Sequence, residues 1–129
     1  MASRIFVYGS LRTGSGHAMA AWLAAHAVPE GAGRVQGRLY RVSWYPALVV
    51  AEGDAASWVQ GELFRLPAPA LLAELDAYEE VRGQPDDEYR RERVTVWRDG
   101  RPAEAWAWVW QREVGGLLRV PGGDWLQQA

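Results

Sequence analysis

The chain contains no cysteine. Disulfides, thiolate nucleophiles and zinc–thiolate sites are therefore excluded. Lysine is also missing, so all fourteen basic residues are arginine. Histidine is scarce: His17 and His26 are too few for a histidine-rich metal site. No stretch approaches the ~20 apolar residues of a spanning helix, and the apolar run after Arg4 is short and broken by glycines. The expectation is a soluble, cytoplasmic protein without membrane contact. A large charge of either sign is lacking too. The net charge of −2 offers no strong draw to nucleic acid.

What is present is enough for a packed core. The 129 residues are 49% hydrophobic, which fits a single domain over residues 1–129. Eight tryptophans are many for this length. Trp106, Trp108 and Trp110 alternate, as on one face of a strand.

The chain is organised around Arg4 to Gly16. Ile5 to Val7 read as a buried strand that breaks into a loop with glycines at 9, 14 and 16. A helix then starts near Ala18. Glycine lets a backbone approach a ligand closely, and such a loop can aim N–H groups at a carboxylate, a phosphate or a developing oxyanion. The same spacing also suits an ordinary first strand and tight turn, so spacing alone leaves the loop's role open.

Met19, Trp22, Leu23 and His26 share one helix face. Pro29, Gly31 and Gly33 are expected to end that helix, ahead of a strand from Val35 to Val42. Ala47 to Val50 is a short apolar run, and Glu52-Gly53-Asp54 reads as a turn. Trp58 to Phe64 forms the next strand. A helix is expected over Ala70 to Glu80, after Pro67 and Pro69. Gly83 to Asp87 is a polar loop, and Asp86-Asp87-Glu88 reads as solvated. Arg91 to Trp97 alternates as a strand, Asp99-Gly100 is a hairpin turn, and Ala103 to Trp110 returns. Gly115 to Trp125 reads as loop. Strands outnumber helices, so the class is α+β with a mostly antiparallel, barrel-like sheet.

One carboxylate stands out. At about 100° per residue, with Leu71 at zero, Leu75 falls at about 40° and Tyr78 at about −20°. Glu79, at about 80°, lies inside the apolar arc, whereas Glu80, at about 180°, faces water. An inward carboxylate must be paired, hydrogen-bonded or neutralised. Two roles stay open for Glu79: an acid–base group with a raised pKa, or a partner of an arginine such as Arg91. Ser10 is a weaker candidate, as a nucleophile with no histidine evidently placed to activate it. His17 reads as a capping or solvated residue. Tyr89 and Arg91 precede a strand and could reach a ligand, or else serve as a packing residue and a surface charge.

Several stretches together resemble the γ-glutamylcyclotransferase-like family. Phe6-Val7-Tyr8-Gly9-Ser10-Leu11-Arg12 is similar to its opening signature, and Leu75-Asp76-Ala77-Tyr78-Glu79 to its glutamate motif. Gly37-Arg38-Leu39-Tyr40, Tyr45-Pro46-Ala47-Leu48-Val49, Val59-Gln60-Gly61-Glu62-Leu63-Phe64, Tyr89-Arg90-Arg91 and Gly122-Gly123-Asp124-Trp125 follow in the family's order. The resemblance implies a small mixed β-barrel with flanking helices. It implies a cyclotransferase that converts a γ-glutamyl amine or peptide to 5-oxoproline and a free amine, using no metal or cofactor. It places the acid–base role on Glu79. It places substrate contacts on Tyr8, Gly9, Ser10 and Leu11, with Tyr45, Tyr89 and Arg91 further along the chain. The partner it implies is a small-molecule γ-glutamyl substrate; the alternative on the same fold is a non-catalytic binding protein. The leaving amine and the oligomeric state are left open. Two positions depart from the family pattern: Glu80 stands where glycine is common, and Trp108 where tyrosine is common.

Overall fold

The computed structural model describes residues 3–51, 53 and 57–127. Its elements are β1 (Ser3–Val7), α1 (Ala18–His26), β2 (Val28–Arg41), β3 (Pro46–Val50) and β4 (Trp58–Leu66), then α2 (Ala70–Tyr78), β5 (Tyr89–Arg98), β6 (Arg101–Trp110) and β7 (Leu118–Arg119). A 3-10 turn at Trp125–Gln127 follows. Five strands run in the order β2-β4-β1-β6-β5, and β5 pairs back onto β2 at Arg34 and Trp97. The sheet thus closes into a small barrel. It is mixed, because β1 and β6 run parallel while the other pairs are antiparallel. β3 and β7 extend the sheet from β2.

Strand alternation sorts the side chains onto two faces. Phe6, Leu39, Leu63, Val96 and Ala107 fill one core with Tyr8. Ile5, Val7, Phe64, Trp108 and Trp110 form a second core, against Leu23 of α1 and Leu75 of α2. The helices therefore cover the outer face of the strands that carry the glycine-rich loop. Asp99 (φ 49°) and Gly100 (φ 76°) join β5 to β6. Positive φ at both positions is the two-residue hairpin turn whose twist suits the flanking strands.

Four expectations need correction. Pro29, Gly31 and Gly33 do not separate the first helix from its strand; they lie within β2, which pairs with β4 from Val28 onward. The helix ends instead at Ala27, whose extended backbone (φ −121°, ψ 163°) leads straight into the strand. A register shift between Pro29 and Gly31 accommodates the proline, as a bulge can. The tail is not all loop, since it includes β7, the 3-10 turn and buried Val120. Asp87 is not solvated but 3% exposed. Its Oδ2 accepts the N–H groups of Arg82 (2.7 Å) and Gln84 (3.2 Å), which hold its carboxyl below the usual range. α2 stops at Tyr78, short of Glu80, for a reason taken up with the site. Of the expected Glu52-Gly53-Asp54 turn, Glu52 and Asp54 lie outside the described residues.

Candidate active site

The site is built where α2 ends. The N–H of Glu80 bonds the carbonyl of Ala77 (3.1 Å), and that of Val81 bonds the carbonyl of Asp76 (2.8 Å). This pair of bonds is the Schellman ending of a helix. It needs a left-handed residue at its centre, usually glycine, and here Glu80 takes that conformation (φ 57°). The residue differs from the glycine common in the family, but the backbone adopts glycine's shape. Glu79 becomes the last residue before the reversal, with its N–H on the carbonyl of Leu75 (2.9 Å).

Glu79 lines a narrow pocket of about 30 Å³ with Tyr8, Gly9, Ser10, Leu11, Tyr45, Pro46, Tyr89 and Trp108. It also lines an adjoining chamber of about 160 Å³ with Trp44, Tyr78, Glu80 and Glu88. Glu79 is therefore shared by the two. The residue keeps part of its surface open, but its carboxyl is desolvated. Among the described residues no hydrogen bond is made to that carboxyl. Desolvation first, then the charges of Asp76 and Glu88, push its pKa up to about 8.

The loop after β1 forms the facing wall. The N–H of Arg12 bonds the carbonyl of Gly9 (3.0 Å) and closes a turn. Among the described residues the N–H groups of Gly9, Ser10 and Leu11 make no hydrogen bond, so three donors border the pocket unengaged. Gly9 is needed for space: a Cβ there would sit 2.8 Å from two carbons of the Pro46 ring. The hydroxyl of Tyr89 donates to the carbonyl of Pro46 and fixes the same wall. That of Tyr8 donates to the carbonyl of Trp108 (2.6 Å). Burial raises the pKa of both phenols, so they remain protonated donors. The hydroxyl of Tyr45 donates to both oxygens of Glu88, at 3.0 and 2.9 Å. Ser10 Oγ lies 2.7 Å from Tyr78 Oη, which lies 3.4 Å from His17 Nε2.

The structure thus brings Tyr8, Gly9, Ser10, Leu11, Tyr45, Glu79 and Tyr89 to one pocket. It does not bring Arg91 there. Arg91 pairs with Asp76 (3.4 Å) and lies over the ring of Trp106 (4.9 Å). The arginine partner considered for Glu79 is therefore engaged with its neighbour on α2 instead. Pro46 and Trp108 also line the pocket, beyond the residues to which the sequence points. Pro46 follows Tyr45 directly, and that adjacency was the available signal. The Trp108 indole donates to Asp76 Oδ1 (2.9 Å), so an apolar ring, tied from outside, stands at the position where the family commonly has tyrosine. A larger depression of about 600 Å³ lies at the β2–β5 seam, between Arg34, Trp58, Trp97 and Arg98. It includes neither Glu79 nor the glycine-rich loop, and size alone gives it no chemistry.

Comparison with known proteins bears on the family and the fold. Residues 5–127 match the family described as gamma-glutamyl cyclotransferase, AIG2-like. The gamma-glutamylcyclotransferase family protein ytfP of Citrobacter rodentium is 36% identical over 126 residues, covering 97% of this chain and 96% of that protein. The solution structure of ytfP from Escherichia coli superposes with a TM-score of 0.66 at 35% identity, covering 96% of each chain. The crystal structure of an AIG2-like protein from Mus musculus shares the fold, with a TM-score of 0.69 at 21% identity over 99% of this chain and 84% of that one.

Proposed function

The chain belongs to the gamma-glutamyl cyclotransferase, AIG2-like family, and we propose that it converts a small γ-glutamyl amine or peptide to 5-oxoproline with release of an amine. The observation that carries this reading is Glu79: a carboxyl with a pKa of about 8, facing a loop with three unengaged amide donors. A group that titrates near neutrality is suited to accept a proton and return it.

The chemistry then needs few parts. The ionised Glu79 takes a proton from the α-ammonium of the γ-glutamyl group. The freed amine attacks the γ-carbonyl carbon and forms the lactam C–N bond. The carbonyl oxygen becomes an oxyanion, stabilised by the N–H groups of Gly9, Ser10 and Leu11. As the carbonyl reforms, the original C–N bond breaks: Glu79 returns its proton to the departing nitrogen, and the ring nitrogen's second proton passes through the same carboxylate to the released amine, which leaves as an ammonium and restores the ionised Glu79. Water is not consumed and no cofactor enters the step. Because ring closure is intramolecular, folding the substrate into attack geometry supplies much of the rate. Tyr8, Tyr45, Tyr89 and Trp108 supply rigid walls for that folding. Their hydroxyl and indole groups are already engaged with protein acceptors. Arg91 is assigned no ligand contact.

The test is 5-oxoproline release from γ-glutamyl compounds that differ only in the leaving amine. Glu79→Gln keeps the side chain's size but cannot shuttle a proton. Its turnover at saturating substrate is expected to fall by roughly 10²–10⁴, with substrate binding changed far less. Near wild-type turnover would remove Glu79 from the reaction. Calorimetric binding of γ-glutamyl compounds without any release would identify a binding protein on the same fold.

A further inference from the structure

We propose that His17 and Tyr78 are positioning residues that set the hydroxyl of Ser10 as a one-way hydrogen-bond donor into the pocket. The polarity is assigned from the hydrogen-bond partners of His17, Tyr78 and Ser10. Only the acceptor, the γ-carbonyl oxygen, rests on the cyclotransferase reading.

The direction is decided at the start of α1. The N–H of Met19 donates to His17 Nδ1 at 3.0 Å. A ring nitrogen that accepts carries no proton, so in the neutral imidazole the proton sits on Nε2. Nε2 faces Tyr78 Oη at 3.4 Å, the longest link of the chain, and there it donates. Tyr78 Oη accepts from the histidine, and among the described residues Ser10 Oγ, at 2.7 Å, is the one acceptor then left for the Tyr78 proton, so we assign Tyr78 as the donor of that bond. Burial raises the Tyr78 pKa, which keeps that proton in place. Ser10 Oγ is then an acceptor toward Tyr78, and its own proton is left for another partner. Ser10 borders both the narrow pocket and the adjoining chamber. The opposite direction would put a proton on Nδ1, facing the N–H of Met19: two donors with no acceptor between them.

The imidazole is held in this orientation from several sides. It lies parallel to the ring of Trp44 (centroids 5.4 Å apart, planes 4° apart) and meets Tyr78 edge-on at 5.5 Å. Its backbone N–H donates to Ser15 Oγ (3.2 Å), whose hydroxyl donates to the carbonyl of Ser10 (2.6 Å). Thus one histidine caps α1, anchors the glycine-rich loop and orients the serine at that loop's tip.

A consequence separates this from a serine nucleophile. A nucleophilic hydroxyl needs a neighbour that accepts its proton. The neighbour of Ser10 donates instead. The hydroxyl is therefore suited to join the loop amides around the oxyanion, and no acyl-serine forms.

Two measurements test this independently. Long-range proton–nitrogen correlation on the free folded protein, at mildly alkaline pH, is expected to report the Nε2–H tautomer of His17. The Nδ1–H tautomer would overturn the polarity, whatever the protein's activity. Kinetics give the second measurement. Ser10→Ala is expected to lower kcat about 100-fold, as loss of an oxyanion donor does. Tyr78→Phe is expected to lower it about tenfold with KM changed less than about twofold, because only the hydroxyl's aim is lost. In the Ser10→Ala background, Tyr78→Phe should cost nothing further, since Tyr78 acts through Ser10. His17→Asn, which can still cap α1 but cannot reach Tyr78, should resemble Tyr78→Phe. Losses that add in the double variant, or wild-type kcat in Tyr78→Phe, would overturn the positioning role in an active enzyme. A wild-type protein that releases no 5-oxoproline from any substrate would instead overturn the cyclotransferase reading, and with it the acceptor assigned to Ser10.

Discussion

Glu79 couples its proposed acid–base role to stability through one proton. In the folded chain it holds that proton up to about pH 8, against an ordinary value of 4.5 for a free glutamate. Between those values the folded state binds the extra proton, so stability falls as pH rises through the window. Below the lower value both states are protonated and the carboxyl costs nothing; above the upper one a desolvated charge must be carried. Glu79→Gln removes the charge. Its melting temperature is expected to match wild type near pH 4 and to exceed it increasingly up to about 8, with the gain constant beyond. Thermal melts across that range check the sign. The wild-type kcat profile should show an acidic limb in the same upper region, because the base must be ionised to act. A limb near 4.5 would mean that the carboxyl is solvated after all.

At the scale of elements, the end of α2 carries a strained residue beside the catalytic candidate. Glu80 occupies the left-handed position of the Schellman ending without glycine's freedom. The left-handed conformation costs roughly 1–2 kcal/mol in a residue with a Cβ. Glu80→Gly keeps both backbone bonds and relieves that cost, with some offset from the added freedom of the unfolded chain. The expected result is a net gain of about 1 kcal/mol, read as a higher urea midpoint at unchanged slope. An equal or lower midpoint would show that the Glu80 side chain contributes more than its backbone costs. The geometry also explains why α2 stops where it does. The reversal at Glu80 turns the chain away just after Glu79, which keeps its helical N–H bond to Leu75 and lines both chambers.

Over the whole molecule, Arg12 ties three distant parts together. Its Nε lies 3.3 Å from Glu62 Oε2 on β4, and Nη1 lies 2.6 Å from Asp124 Oδ1 in the C-terminal segment. Glu62 Oε1 also accepts the N–H of Thr13 (3.0 Å), so the loop is clamped through side chain and backbone. The three side chains are 12%, 19% and 22% exposed. Arg12→Met would leave two carboxylates without their cation. The expected loss is about 2 kcal/mol, less than for a fully buried pair because water still reaches the acids. Arg12→Lys should recover only part of it, since a single ammonium cannot reproduce the guanidinium fork. Binding of 5-oxoproline, measured by calorimetry, should weaken in both variants because the loop loses its anchor. Unchanged stability in Arg12→Met would show that the pairs add nothing beyond solvation.

The sequence by itself determined what depends on near neighbours. The apolar run Ile5 to Val7 marked a buried strand, and alternation over Arg91 to Trp97 marked another, because strand geometry repeats every two residues. Asp99-Gly100 marked a hairpin, because left-handed turn positions select those residues. Spacing along α2 singled out Glu79, which stands one residue past Tyr78 and keeps the helical bond to Leu75. The YGSL loop was legible as a candidate donor site, because glycine spacing after an apolar run is a local signal. Tertiary structure decided what depends on partners far away in the chain. Closure of β5 onto β2 follows from the twist and stagger of all five strands, which no single segment encodes. Arg91 was legible as an arginine near a strand start, but only the packing of β5 against α2 gave it Asp76 rather than the pocket. Pro46 and Trp108 reached the site because β3 and β6 carry them there. The second role of His17 was equally hidden: its capping bond is local, but the direction of the next two hydrogen bonds depends on Tyr78 and Ser10. A hydrogen-bonding atom's role follows from what its other partners already do, and only the folded chain brings those partners together.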